Sequence, residues 1–119
     1  MEKREKQINK LVDDFVVSVK KRHSALIKGD SRNANAQTKR YHKLFLAIVE
    51  LGQEAREVLL TQIYNEDDYV ATMAAIYSLR YSPEKSFNIL SEMAKKPGFV
   101  GFEAQMAVKL WESGNWKLN

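Results

Sequence analysis

The feature that most constrains this chain is a series of six short helical patterns separated by glycine, proline and aspartate residues. Within each pattern the apolar residues recur at steps of three and four, which is typical of the buried stripe of an amphipathic helix. The patterns cover residues 2–27, 32–51, 53–64, 69–80, 83–95 and 100–113. No stretch of strand length alternates between apolar and polar residues. The sequence therefore predicts an all-α fold without a sheet.

Short connections and an internal repeat predict how these helices pack. Because the connections are short, consecutive helices are expected to be antiparallel neighbours. The last four helices also repeat after 30 residues, with apolar residues in both members of six pairs: Leu59 and Ile89, Leu60 and Leu90, Ile63 and Met93, Val70 and Val100, Ala74 and Ala104, and Ile76 and Met106. Such a period is typical of stacked helical hairpins. We predict six antiparallel helices in three stacked αα-hairpins, an α-α superhelix; a compact six-helix bundle without a repeat is the alternative.

The apolar positions of the patterns define the expected core. In chain order they are Ile8, Val12, Phe15, Val19 and Leu26; Tyr41, Leu44, Phe45 and Ile48; Ala55, Val58, Leu59 and Ile63; Val70, Met73, Ala74 and Tyr77; Phe87, Leu90 and Met93; and Phe102, Met106 and Leu110. Polar residues before the helices are expected to cap the free N–H groups of the first turn. The expected caps are Asp30 or Ser31, an aspartate of residues 65–68, and Ser82, which precedes Pro83.

Length and composition predict a single soluble domain over residues 1–119. The chain is 45% hydrophobic and 29% charged, which is ordinary for a globular protein. It contains no cysteine, so disulfides and thiolate metal sites are excluded. The longest apolar run, residues 44–49, is too short to cross a bilayer, and the apolar stretch 15–17 within the first 21 residues is too short for that of a signal peptide. We therefore expect a cytoplasmic location and no membrane contact.

Several local motifs resemble a known family. The helix with Val70, Ala74 and Ala75, entered through an acidic turn, looks like the second helix of a HEAT-type repeat. The whole chain resembles a family of small bacterial HEAT-like domains of unknown function, although Ala71 stands where HEAT helices often carry arginine. The residues that carry the resemblance are Gly29-Asp30, Gly52, residues 65–68, residues 70–75 with Leu79, Ser82-Pro83-Glu84, Gly101, Phe102, Ala104, Trp111 and Gly114. The resemblance implies an immunity-type partner of a bacterial toxin, because some similar small helical-repeat proteins have that role.

The sequence contains no motif that indicates catalysis or cofactor binding. His23 and His42 are the only histidines, and neither has a second ligand at metal-binding spacing. The serines lie in predicted helices or caps, without the glycine-flanked elbow of a nucleophile. The five glycines lie at or near helix ends and form no phosphate-binding loop. We therefore expect no enzyme activity, no cofactor and no metal.

The distribution of charge separates the two parts of the chain. Residues 1–43 carry 12 basic and 5 acidic side chains, whereas residues 44–119 carry 7 basic and 10 acidic ones. Arg32, Asn35, Lys39 and Lys43 recur at helical spacing on one polar face of the second helix, with Arg40 close by. This stripe indicates either an ordinary solvated face or a site for an acidic protein. A third possibility is a nucleic acid, bound through the phosphate backbone by the amino-terminal helices.

The predicted hairpins indicate a protein-docking surface. In an αα stack the second helices of successive hairpins form one broad face. Candidates for this face are the stripe on the second helix together with Tyr69, Thr72, Glu103 and Gln105. Trp116 is expected either to anchor a partner or, as the alternative, to fold back over the last hairpin. The sequence thus predicts a non-catalytic protein–protein interaction module, itself a monomer or a weak homo-oligomer, with nucleic-acid binding as the alternative.

Overall fold

The computed structural model describes residues 2–116 and contains six α-helices and one 3₁₀ turn. The elements in chain order are α1 (Glu2–Lys28), α2 (Ser31–Glu50), α3 (Gln53–Leu60), the 3₁₀ turn (Thr61–Tyr64), α4 (Asp68–Ser78), α5 (Pro83–Met93) and α6 (Gly98–Glu112). Every helix boundary agrees with the sequence prediction to within two residues when α3 and the 3₁₀ turn are taken together. No residue from 2 to 116 is in a strand, so the predicted all-α class is confirmed.

Contacts between residues divide the chain into two compact units, Met1–Leu59 and Leu60–Asn119. The expectation of one domain over residues 1–119 stays a prediction. In the first unit α1 and α2 form an antiparallel hairpin. The rings of Phe15 and Tyr41 meet edge to face with centroids 5.6 Å apart. Nearer the turn, Ser18 Oγ lies 2.8 Å from Gln37 Oε1. Because the paired residues come closer in sequence toward the turn, the two helices run in opposite directions.

The turn between α1 and α2 follows directly from its sequence. Gly29 has a φ of 75°, a conformation that glycine adopts without the steric cost of a Cβ. Asp30 then accepts a hydrogen bond from the backbone N–H of Asn33 over 3.1 Å, so it caps α2 as expected. At the other end of this hairpin, Arg4 Nε lies 3.1 Å from Glu54 Oε1 at the start of α3. Both side chains are about half exposed, so this ion pair contributes little stability.

Helix α4 is the central element of the second unit and packs against the 3₁₀ turn, α5 and α6. Helix α4 carries apolar residues on all its faces, as is typical of a helix enclosed by others, and every residue from 69 to 79 is buried. Asp67 caps this helix, accepting hydrogen bonds from Tyr69 N–H at 2.9 Å and Val70 N–H at 3.1 Å. The expected aspartate cap is therefore confirmed. Asp68, in the first turn, also pairs with Lys96 over 2.8 Å.

Helices α5 and α6 pack together through a tight turn. Pro83 is the first residue of α5, as predicted. Ser82 occupies the N-cap position, but its side chain makes no capping hydrogen bond, so that part of the prediction is wrong. Gln105 Nε2 donates a hydrogen bond to the Ala94 carbonyl at 2.8 Å. An ideal Cβ on Gly101 would lie 1.7 Å from the Lys96 carbonyl oxygen, so the turn passes directly over this glycine.

Most of the predicted core is confirmed, and the exceptions are concentrated on α6. The buried members are Ile8, Val12, Phe15, Val19, Tyr41, Phe45, Ile48, Ala55, Leu59, Ile63, Val70, Met73, Ala74, Tyr77 and Leu90. Leu26, Leu44, Val58, Phe87 and Met93 are of intermediate exposure. The prediction for Phe102, Met106 and Leu110 is wrong, because their exposed fractions are 62%, 45% and 38%.

A different side of α6 forms its buried face. That side carries Val100, Gly101, Ala104 and Ala107, whose small side chains permit a close approach of the neighbouring backbone. The residue pairs that lie 30 apart in the sequence are consequently not all buried to the same extent. Ala74 and Ala104 are both buried, but Ile76 is 8% exposed and its counterpart Met106 is 45% exposed. The structural repeat stays a prediction.

Candidate interaction surfaces

The polar stripe of the second helix lies on the solvent face of α2. We use the name α2 face for Arg32, Asn35, Lys39, Arg40 and Lys43, all of which are exposed. They are exposed because Tyr41, Phe45 and Ile48 form the buried side of α2. At 100° per residue, Arg32, Lys39 and Lys43 lie roughly opposite Tyr41. The sequence pattern thus located the solvent side of this helix correctly.

The four cations of the α2 face are available for an external partner. Within residues 2–116, none of them forms an ion pair. From Arg32 to Lys43 the row covers eleven residue steps, about 16 Å along the helix axis. Long, exposed basic side chains on a convex helix attract an anionic surface without enclosing it. The face is therefore suited to electrostatic attraction and steering of a charged macromolecule.

The second unit does not present the docking residues that the sequence predicted on α4. Tyr69 is 1% exposed and its hydroxyl donates a hydrogen bond to the Glu103 carboxylate, so its side chain is interior. Thr72 is also buried and donates to the Asp68 carbonyl over 2.8 Å. Glu103 is partly buried, and Gln105 is exposed but bonded to the α5–α6 turn. Of these four side chains, only Gln105 faces the solvent.

An exposed apolar row on α6 was not anticipated as a surface. We call it the α6 stripe; it consists of Phe99, Phe102, Met106 and Leu110, with exposed fractions of 38%, 62%, 45% and 38%. Its residues follow helical steps of three and four, the same signal that predicts a buried face. The sequence signal that distinguishes it is the parallel row of Val100, Ala104 and Ala107 on the other side of the helix. The structure buries the row with the smaller side chains, which permits closer packing.

Trp116 lies against Trp111 of α6, and its coverage of the whole last hairpin stays a prediction. Its ring lies edge to face with that of Trp111, with centroids 6.3 Å apart and an interplanar angle of 75°. Its indole Nε1 is buried without a hydrogen-bond partner in the described part of the chain. The indole therefore packs against α6. It is not a freely exposed anchor for a partner.

The described residues offer no metal site and no membrane span. No group of three or more histidine, aspartate and glutamate side chains between residues 2 and 116 is placed to hold a metal ion. His42 lies against the ring of Phe45, with centroids 6.3 Å apart. None of the helices described for this chain combines the length and the apolar character needed to cross a bilayer.

No protein-family model matches the chain, and no curated protein or solved structure is significantly similar to it. The resemblance to small bacterial HEAT-like domains therefore stays a prediction from the sequence motifs.

Proposed function

We propose that this protein is a non-catalytic interaction module of the cytoplasm that binds an acidic surface of another protein through the α2 face. The observation that carries the proposal is the row of four exposed cations on one helix, none of them paired within residues 2–116. An acidic partner would supply the missing counter-charges. Because the hairpin with α1 buries the other side of α2, the row is held in a fixed orientation.

Such a surface acts more on specificity and association rate than on affinity. Each exposed ion pair contributes about 0–1 kcal/mol, so four pairs alone give weak binding. The same charges raise the rate of encounter with an acidic partner and reject basic ones. We therefore expect affinity that falls as salt rises, and a partner that adds apolar or hydrogen-bonded contacts around the charged row.

The proposed architecture behind this function is a stack of three αα-hairpins related to HEAT repeats. Two of the six pairs support it, because Val70 and Val100 are both buried, as are Ala74 and Ala104; in the other four pairs the two members differ in burial. Small helical-repeat proteins of this kind include immunity partners of toxins. An acidic toxin domain is accordingly one candidate partner.

The proposal is tested by reversing two charges on the α2 face. Tagged wild-type protein, Lys39→Glu/Lys43→Glu and the control Lys20→Glu/Lys21→Glu are used to capture proteins from a nuclease-treated lysate of the source cells. The control changes the same number of exposed lysines on α1. We expect one acidic protein to be retained by the wild type and the control and lost by the α2 variant. Equal retention by all three, with unchanged circular dichroism, would remove the α2 face from the interaction.

Nucleic-acid binding is the second candidate, and the same four cations favour it. A row of about 16 Å can contact several phosphates of a duplex. Tyr41 and Phe45 of α2 are 2% and 5% exposed, so neither of these rings is available as a stacking platform beside them. Binding would therefore be to the phosphate backbone. For a fluorescent duplex, we expect a plot of log binding constant against log salt concentration to fall with a slope no steeper than about −3.6, which corresponds to four phosphate contacts. A binding constant that does not change with salt concentration at low salt would exclude this function.

A further inference from the structure

The α6 stripe is a continuous apolar surface on the exposed side of α6. At 100° per residue, Phe99, Phe102, Met106 and Leu110 fall within about 80° of arc on the helix. From Phe99 to Leu110 they extend about 16 Å along its axis. Scattered single apolar residues are normal on protein surfaces, but a contiguous row is a feature of contact sites.

The composition of the stripe is complementary to itself. Phe102 and Leu110 lie four residues on either side of Met106. In an antiparallel contact with a second α6, a two-fold axis at Met106 would therefore place each Phe102 against a Leu110. The same axis would place Phe99 against the small Ser113 of the other copy. Facing a large residue with a small one is the arrangement by which packed helices interdigitate.

Charge does not oppose this contact. The nearest charged residues along α6, Glu103 and Lys109, lie at the edges of the stripe and not within it. Glu103 accepts the hydrogen bond from the Tyr69 hydroxyl, so its carboxylate is already held against α4. A second copy would consequently bury no unpaired charge along the centre of the contact.

The exposed area sets the size of such a contact. With the exposed fractions given above, the four side chains offer on the order of 350 Å² per copy, taking about 200 Å² for a large side chain. Two copies and the residues at the rim would bury about 1,000 Å², whereas a stable interface buries about 1,600 Å². The area fits a weak, reversible association.

We propose that the α6 stripe is the interface of a weak homodimer, in which a second copy packs its own α6 antiparallel across the stripe with Met106 on the two-fold axis. The stripe shares no residue with the α2 face. This dimer therefore does not depend on the proposed binding of an acidic partner, and each can fail without the other.

The test is sedimentation velocity of the full chain at concentrations from about 10 μM to about 1 mM, a range that spans the dissociation constants of weak association. We expect the wild type to shift from monomer to dimer across this range. Met106→Glu and Met106→Lys each place two like charges at the axis and should weaken association at least about tenfold. An equimolar mixture of the two variants should associate again, because the axis then holds opposite charges.

The matched control is Leu46→Glu, which introduces the same charge at a side chain on α2 that is 53% exposed. It should dimerise like the wild type. The proposal is overturned if the wild type stays monomeric throughout this concentration range. It is also overturned if the α6 stripe binds a different protein and not a second copy of this chain. A mixture of Met106→Glu and Met106→Lys that fails to associate also overturns it, as does loss of the dimer in Leu46→Glu.

Discussion

The substitution Gly101→Ala tests the close approach of the α5–α6 turn to α6. Alanine normally stabilises a helix by about 1 kcal/mol relative to glycine, so propensity alone predicts a more stable protein. In this structure the new Cβ would lie 1.7 Å from the Lys96 carbonyl oxygen and 2.8 Å from its carbon. An ordinary carbon–oxygen contact is about 3.3 Å, so the turn would have to move by about 1.6 Å.

The cost of that movement exceeds the gain in helix propensity. The clash is with main chain, not with the end of a flexible side chain, so we take the upper part of the overpacking range, about 3 kcal/mol. After the gain of about 1 kcal/mol in propensity, the free energy of unfolding should fall by about 2 kcal/mol or more. For a chain of this length the melting temperature should fall by roughly 8 °C.

Thermal and urea unfolding followed by circular dichroism at 222 nm measures this change. Gly98→Ala is the control, since a Cβ there meets nothing within 4 Å. Its φ of 73° still makes alanine unfavourable by about 1 kcal/mol, so it reports backbone strain without a clash. A Gly101→Ala variant as stable as the wild type, or more stable, would refute the close approach of the turn to α6.

Two further substitutions test individual hydrogen bonds. Asp67→Ala should lower the free energy of unfolding by about 1 kcal/mol, and by more than Asp30→Ala, because Asp67 caps two N–H groups and Asp30 caps one; equal losses in urea unfolding would contradict this order. Ser86→Ala should raise the free energy of unfolding by about 1 kcal/mol, because its buried hydroxyl has no hydrogen-bond partner within residues 2–116. Ser18→Ala, which removes a bonded hydroxyl, should lower it, and a calorimetric melt that showed the same sign for both serines would refute this reasoning.

The α2 face could be located from the sequence because a helix with one apolar side has only one orientation toward the core. Its polar residues are then on the solvent side whatever the packing of the neighbouring helix. The docking residues of the second unit could not be located in this way. Helix α4 is buried on all sides, so its polar and aromatic residues, Tyr69 and Thr72, carry no periodic signal of exposure.

Hydrophobic periodicity also fails to identify the buried face of helix α6. Its sequence contains two apolar rows, and hydrophobicity favours burial of the one with the larger side chains, Phe102, Met106 and Leu110. The structure buries the row with Ala104 and Ala107, because small residues let the neighbouring backbone approach. The exposure of the α6 stripe was therefore not predictable from periodicity. It depends on how closely the neighbouring backbone approaches α6, and the spacing of apolar residues contains no information about that distance.

By itself, the sequence determined the six helices, their ends and the aspartate caps, because these depend on interactions within a few residues. It also determined the solvent side of α2, where one apolar face leaves no choice. Only the tertiary structure decided which face of α6 is buried and that Tyr69 is interior. Those outcomes depend on how closely α4, α5 and α6 approach one another, and that distance is set by side chains far apart in the sequence.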